Sequence, residues 1–428
     1  MVIKALQWAS FALLFLAGWT VSEEAWVLVG DRIDVGLTYE KALGIYKADT
    51  PVVAMSYFEN VNGFRSLTDV RAFVDNQWMS IATLPRAETL KLACASEDCF
   101  LLLANKTGTM DVYAVNSTAV VQLPAKVTSG YAGDASLAVY RNTPYVAFRD
   151  GDALNLTTVK RFTGDVWESV GAAGAVVDKE VRGTVLAIND KGDPYIAYDV
   201  INRARDLTFT QTFVKVFQQS AWTLLGNVTK EQIISSRDLS FAFDAEGNPY
   251  VGLCNFLQFE VKKHVTGQGW EPIDTNDLGC SSSARVFFTG NDEYQPTLAS
   301  IQPGSEEGTF TVLEWDETSW NPVGPSMKTG SILEGFAMAG DNTPYALFYE
   351  VTSLQRQEYG VRTIGDAPAP PTPSPPGPSP PPSPSPSPSP SPTSPPPPPD
   401  SKACAYLDAG VYLWIGASFA VGQLLRSI

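Results

Sequence analysis

The sequence predicts an all-β chain: a seven-bladed β-propeller, followed by a polyproline II stalk and a C-terminal hydrophobic segment. Three observations predict it. A turn leading into a short apolar strand recurs at steps of about 45 to 55 residues, the range expected of propeller blades. A tryptophan, often with glycine four residues later, follows most copies at a similar offset. From residue 366 to 400 the composition changes to almost nothing but Pro, Ser and Thr. The spacing counts to seven blades and leaves six to eight open.

Residues 1–22 read as a secretory signal peptide. Lys4 supplies the positive end, Ala9 to Gly18 the apolar run, and Thr20 and Ser22 the small residues of a cleavage site. That run is short for a membrane span. Secretion agrees with four N-x-S/T acceptors, at Asn105, Asn116, Asn155 and Asn227. It also agrees with the cysteines. Proximity pairs Cys94 with Cys99 and Cys254 with Cys280, leaving Cys404 in the C-terminal segment.

The propeller is assigned to residues 23–365. Its turn motif reads Asp49-Thr-Pro-Val-Val-Ala-Met55, Asn142-Thr-Pro-Tyr-Val-Ala-Phe148 and Gly192-Asp-Pro-Tyr-Ile-Ala-Tyr198. It returns as Gly247-Asn-Pro-Tyr-Val-Gly-Leu253 and Asn342-Thr-Pro-Tyr-Ala-Leu-Phe348. Weaker copies begin at Ser96 and Glu293. Asp, Asn and Gly tolerate the angles of a tight turn, and proline opens a strand where a missing donor does least harm. The strand that follows is apolar on consecutive residues, as burial on both faces requires. The tryptophan motif occurs at Trp78, Trp167, Trp222, Trp270 and Trp320, with Ala119-Val-Val-Gln-Leu123 in its place in the second unit. The last unit ends without one, while Trp26-Val-Leu-Val-Gly30 carries the pattern at the other end. The N-terminal strand is therefore expected to complete the last blade and close the ring.

These repeats resemble the Trp-x-x-x-Gly and Gly-x-Pro-Tyr-Val-Ala-Tyr repeats of secreted propellers. The resemblance covers nearly all of the ectodomain and implies the scaffold, not a function.

Residues 366–400 form the stalk. Proline removes donors and fixes φ, so polyproline II is expected, reaching on the order of 100 Å at ~3.1 Å per residue. The Ser-Pro alternation resembles hydroxyproline-rich wall and matrix glycoproteins of green algae and plants, which implies hydroxylated, glycosylated prolines. Residues 401–428 read either as a GPI-attachment signal with Ser401 as acceptor or as one transmembrane helix ending near Arg426. Both readings attach the chain to a membrane through its C-terminus.

The candidate chemistry is sparse. The net charge of −16 argues against a nucleic-acid partner. His264 is the only histidine, which excludes multi-histidine metal centres. With no Gly-x-Ser-x-Gly elbow beside it, no catalytic residue is assigned. No cofactor or metal is implied by the motifs present. The candidate ligand-binding residues are Asp150 and Asp152, after a core strand, and Arg203 and Arg205, in a charged loop read over Asp199 to Leu207. They fall on the face built from the connections after each second strand and between blades, together with Glu59 to Ser66 and Glu350 to Arg356. The expected role is binding of an extracellular protein or glycan. The alternatives are a structural hydroxyproline-rich glycoprotein and a carbohydrate-active enzyme working through carboxylates alone.

Overall fold

A computed structural model describes residues 25–365, apart from short segments at 36, 48, 61–63, 96–97, 129, 178, 180, 205–206, 230–235, 256–257, 276–277, 281–285, 291–294, 303–307 and 352–356. The chain divides into two compact units, residues 1–369 and 370–428, and every described residue belongs to the first. The signal peptide, the stalk, Arg205 and Ser401 lie outside the described residues.

The described chain is a seven-bladed propeller. Seven antiparallel sheets each run in meander order through four strands, and two carry a short fifth strand, Ile33–Asp34 and Met327–Thr329. Blades one to six occupy residues 37–85, 89–122, 132–169, 181–227, 236–273 and 286–322 in turn. The first strands of successive blades contact one another around the ring, so they line the axis and the fourth strands form the rim.

The expected closure is present. Blade seven takes its first three strands from Ile332–Met338, Pro344–Val351 and Gln357–Gly365, and its fourth from Ala25–Leu28. The register runs from Ala25 opposite Gly365 to Leu28 opposite Arg362.

The repeated prolines stand at or next to the start of each second strand, as in Thr143–Asp150, Pro194–Ala204 and Pro249–Asn255. These strands are buried on both faces. Val52 and Ala54 pack toward blade two, while Val53 and Met55 pack toward blade seven. The core is accordingly divided into seven apolar clusters, one at each blade interface. That alternation is why consecutive residues are apolar: one pleat face serves each neighbour.

The tryptophans lie on the fourth strands, and five of them fasten their blade to the one before it, while the Trp270 Nε1 of blade five is buried without a partner among the described residues. The indole Nε1 of Trp78 donates to the Val29 carbonyl at 2.8 Å, Trp167 to Ala125 at 3.0 Å and Trp222 to Val170 at 2.9 Å. Trp320 donates to Asp274 at 2.8 Å and Trp26 to Pro325 at 2.7 Å. The glycine of the motif has a matching reason. Gly171 has φ +81°, and a Cβ there would stand 3.2 Å from the Trp222 ring of the next blade.

Both expected disulfides are present. Cys94–Cys99 joins directly opposed residues of the first hairpin in blade two. Cys254–Cys280 ties the second strand of blade five to the connection leading into blade six. Closing that 26-residue separation removes denatured-state freedom and contributes about 3 kcal/mol.

Candidate functional site

Meander topology sorts the connections onto two faces. The hairpins between second and third strands share one face with the connections between blades, and hydrogen bonds confirm the grouping. Gly151, in such a hairpin of blade three, donates its N–H to the Tyr131 carbonyl in the connection from blade two, at 2.8 Å. Ala132 in turn donates to the Gly108 carbonyl of the blade-two hairpin at 3.0 Å.

Asp150 and Asp152 sit at this junction. Asp150 is buried at the end of its strand, and its Oδ1 accepts the Asp152 N–H at 3.1 Å, capping the short 3₁₀ turn Gly151–Ala153. Its role is to hold the turn. Asp152 is exposed and lies over Gly130, where a Cβ would come within 2.5 Å of its Oδ1. The turn ends on Leu154 at φ +58° and Asn155 at φ +60°, which leaves Leu154 85% exposed. Beside it Tyr131 is 50% exposed.

Arg149 completes the patch. It stands opposite Gly133 in the sheet, and a Cβ on Gly133 would lie 3.0 Å from its Nη2 and 3.4 Å from the Tyr131 hydroxyl. The Arg149 Nε is buried and has no hydrogen-bond partner; Asp134 Oδ2, at 3.7 Å, is too far to accept. A β-bulge at Asp134 and Ala135 produces this offset. The patch thus combines an aromatic ring, an apolar side chain, a carboxylate and a guanidinium on a rigid corner.

The other predicted residues are not brought to it. Arg203 lies near the end of the second strand of blade four, opposite Thr208. The reading of 199–207 as a loop is corrected: the strands Pro194–Ala204 and Leu207–Gln218 leave only residues 205–206 between them. Val200 and Ile201, with Thr208, Thr210 and Thr212 opposite, favour the extended chain despite the charges. Asp199 is buried there and accepts from Thr212 Oγ1 at 2.6 Å. The stretch 59–66 likewise narrows to a connection at 61–63. Glu350, at the edge of the last predicted loop, is neutralised by Arg32 at 2.7 Å and Arg362 at 3.0 Å. Burial alone would raise its carboxyl pKa, but the two guanidiniums outweigh it and hold it low.

The acceptor asparagines divide between faces. Asn105 and Asn155 are exposed in second-to-third-strand hairpins, and Asn227 ends a fourth strand on the same side. Asn116 stands in the third-to-fourth-strand hairpin of the opposite face. The side chains of Asn105, Asn116 and Asn227 each accept bonds from their own sequon threonine.

His264 is part of the packing. It faces Trp270 with ring centroids 5.3 Å apart, and Phe73, Phe162, Phe217 and Trp315 hold the same position against Trp78, Trp167, Trp222 and Trp320. Burial lowers its pKa, partly opposed by a bond to the Leu225 backbone.

On the opposite face a cleft of about 250 Å³ between blades five and six holds Asp244, Tyr250, Trp315, Asp316 and Glu317. Burial would raise the Asp244 carboxyl, but bonds from Asn248 and Lys263 outweigh it and lower its pKa. Asp316 is lowered by bonds from Thr318, Ser319 and Asn321. Asp316 is favoured in its ionised form by its own turn and Asp244 by Asn248 and Lys263, the opposite of what a general acid needs. Among the described residues no group of three or more His, Cys, Asp or Glu could hold a metal ion.

Sequence reasoning reached Asp150 and Asp152 but missed Tyr131, Arg149 and Leu154. A signal for Arg149 was present in Gly133-Asp134, a pair suited to a bulge inside an otherwise apolar strand. No signal marks Tyr131, because its exposure is set by the neighbouring blade.

No family model matches the chain, and no curated protein does. Several solved structures are similar to it. The β-propeller domain of the Trilobed protease from Pyrococcus furiosus has 12% identity and a TM-score of 0.48, covering 78% of this chain and 99% of that one. An alpha-L-arabinanase from Penicillium chrysogenum, complexed with arabinobiose, has 8% identity and a TM-score of 0.43, covering 80% and 97%. The SapL1 lectin, in complex with alpha methyl fucoside, has 12% identity and a TM-score of 0.43, covering 69% and 97%. None of the three bears on what this chain binds.

Proposed function

We propose that the protein is a cell-surface binding module: a secreted propeller, attached to a membrane through its C-terminus, that recognises an extracellular protein or glycan through the blade-three corner. The observation that carries this reading is the exposure of Tyr131 and Leu154 beside Asp152 and the Arg149 guanidinium. Leu154, held in water by the capped turn, and Tyr131 in the adjoining connection together offer an aromatic and an aliphatic surface that a partner would bury. The adjoining carboxylate and guanidinium supply directional bonds.

The attachment part of the proposal rests on the sequence of residues 1–22 and 366–428. Among the described residues no helix is long and apolar enough to cross a membrane, and the C-terminal apolar run lies outside them. Treatment of expressing cells with phosphatidylinositol-specific phospholipase C is expected to release the protein. Retention would replace the lipid anchor with a transmembrane helix.

Binding is tested with the purified protein on glycan arrays and on intact cells. Tyr131→Ala combined with Asp152→Asn is expected to weaken binding about ten-fold or more, with an unchanged thermal midpoint. Binding that survives both substitutions would move the interface off this corner.

A further inference from the structure

The axis of the propeller contains a second, separate feature. A cavity of about 460 Å³ opens between the first strands of blades one, two, five, six and seven. This is the size of a cleft for a small organic ligand. Its two sides differ. On one stand Glu40 and Lys41 of blade one, Lys91 of blade two and Glu334 of blade seven. On the other stand Leu239 of blade five, Phe287 and Phe288 of blade six and Phe336 of blade seven.

The polar side is built, not incidental. The first strand of blade one is bulged between Thr38 and Glu40, and that of blade seven between Leu333 and Gly335. Bulges re-aim side chains, and here they bring Glu334 to Lys41 at 2.9 Å, with the two side chains only 7% and 13% exposed. The Lys41 ammonium also sits 5.7 Å from the centre of the Tyr359 ring. Lys41 is therefore satisfied. Lys91 is not: it is exposed and makes no ion pair or hydrogen bond among the described residues. Its neighbours Leu90 and Leu92 pack at the interface of blades one and two, and Lys91 on the other pleat face lines the cavity. On the apolar side Phe287 and Phe336 are only half-buried, so part of each ring is open.

An ammonium without a partner and two half-exposed rings that line the same cavity, beside Glu40 and the Lys41–Glu334 pair, suit a ligand with one carboxylate, several hydroxyls and an apolar face. We propose that the axial cavity binds a small acidic saccharide of about disaccharide size, its carboxylate on Lys91 and a ring face against Phe287 and Phe336. Glu40 and the Lys41–Glu334 pair then receive the hydroxyls. This site is distinct from the blade-three corner and does not depend on it.

The test is titration calorimetry of the detergent-solubilised full-length protein with galacturonosyl-galactose, a disaccharide with one carboxylate, and with digalactose and phenylacetate as comparison probes. Galacturonosyl-galactose is expected to bind at least ten-fold more tightly than either. Lys91→Ala should weaken it ten-fold or more, Lys91→Arg should retain it within a few-fold, and Tyr131→Ala should leave it unchanged. No binding of galacturonosyl-galactose, equal binding of digalactose or phenylacetate, or a Lys91→Ala protein that binds as well as the parent would each overturn the proposal. Loss on Tyr131→Ala would also overturn it, by placing the saccharide at the corner.

Discussion

His264 occupies a position that four of the other blades give to Phe or Trp, and its environment prefers the neutral ring. Its folded pKa is depressed below the ordinary value of 6.5. Above 6.5 neither folded nor unfolded chain binds the proton, and its contribution is complete. As pH falls from 6.5 toward the depressed folded value, only the unfolded chain takes up the proton, so stability is lost. His264→Phe is expected to remove that part of the acid loss while preserving the contact with Trp270. Urea unfolding at pH 7.5 and 5.5 reads the difference, and an unchanged pH dependence would exclude the histidine as its source. The glycine of the tryptophan motif makes a second residue-scale case. Gly171→Ala adds a Cβ at φ +81°, 3.2 Å from Trp222, and is expected to cost about 1–3 kcal/mol. Urea unfolding measures that too. At this scale the repeated tryptophans and glycines were legible, because the same contact recurs at nearly every interface. The solitary histidine was legible only as a poor catalyst, not as a surrogate aromatic. Tyr131 and Lys91 could not be found, because neither repeats and both owe their setting to strands distant in sequence.

The third strand of the blade carries a device of its own. Two residues before the paired aromatic, Lys160, Lys215 and Lys262 each send the ammonium to a carbonyl of the connection from the preceding blade. The acceptors are Val127 at 2.7 Å, Val176 at 2.6 Å and Val228 at 3.0 Å. The repeat Lys-x-Phe or Lys-x-His was open to inspection, but a lysine on a strand reads as solvent-facing until its acceptor is known. Lys215→Met keeps the aliphatic stem and deletes the donor. It leaves the Val176 carbonyl without that partner and is expected to destabilise by about 1–3 kcal/mol. Charge also misled at the element scale in blade four. Polar residues between 199 and 207 suggested a loop, yet a long two-stranded hairpin forms, because an extended hairpin arm holds charges as readily as a loop once its backbone is paired. The bulges of the first strands were not foreseen either, although they aim Glu334 at the axis and give Asp134 its offset from Arg149.

Over the whole molecule, seven interfaces of similar construction make a closed ring. Among the described residues, blade seven is the single place where distant parts of the chain share a sheet, and Trp26 anchors it from the N-terminal side. Deleting residues 25–28 is expected to expose the edge of Gln357–Gly365, uncover Phe310 and Phe348 at the interface with blade six, and lower the calorimetric transition as one cooperative unit. A transition unchanged in midpoint would show that the strand is dispensable. The closure has a mechanical consequence as well. The last described strand, ending at Gly365, has Pro344–Val351 hydrogen-bonded on one side and Ala25–Leu28 on the other. A pull transmitted along the chain from beyond residue 365 therefore enters at a strand gripped on both edges. Under the proposed membrane attachment, tension reaching Gly365 loads two ladders at once, so the joint that completes the ring also shares that load.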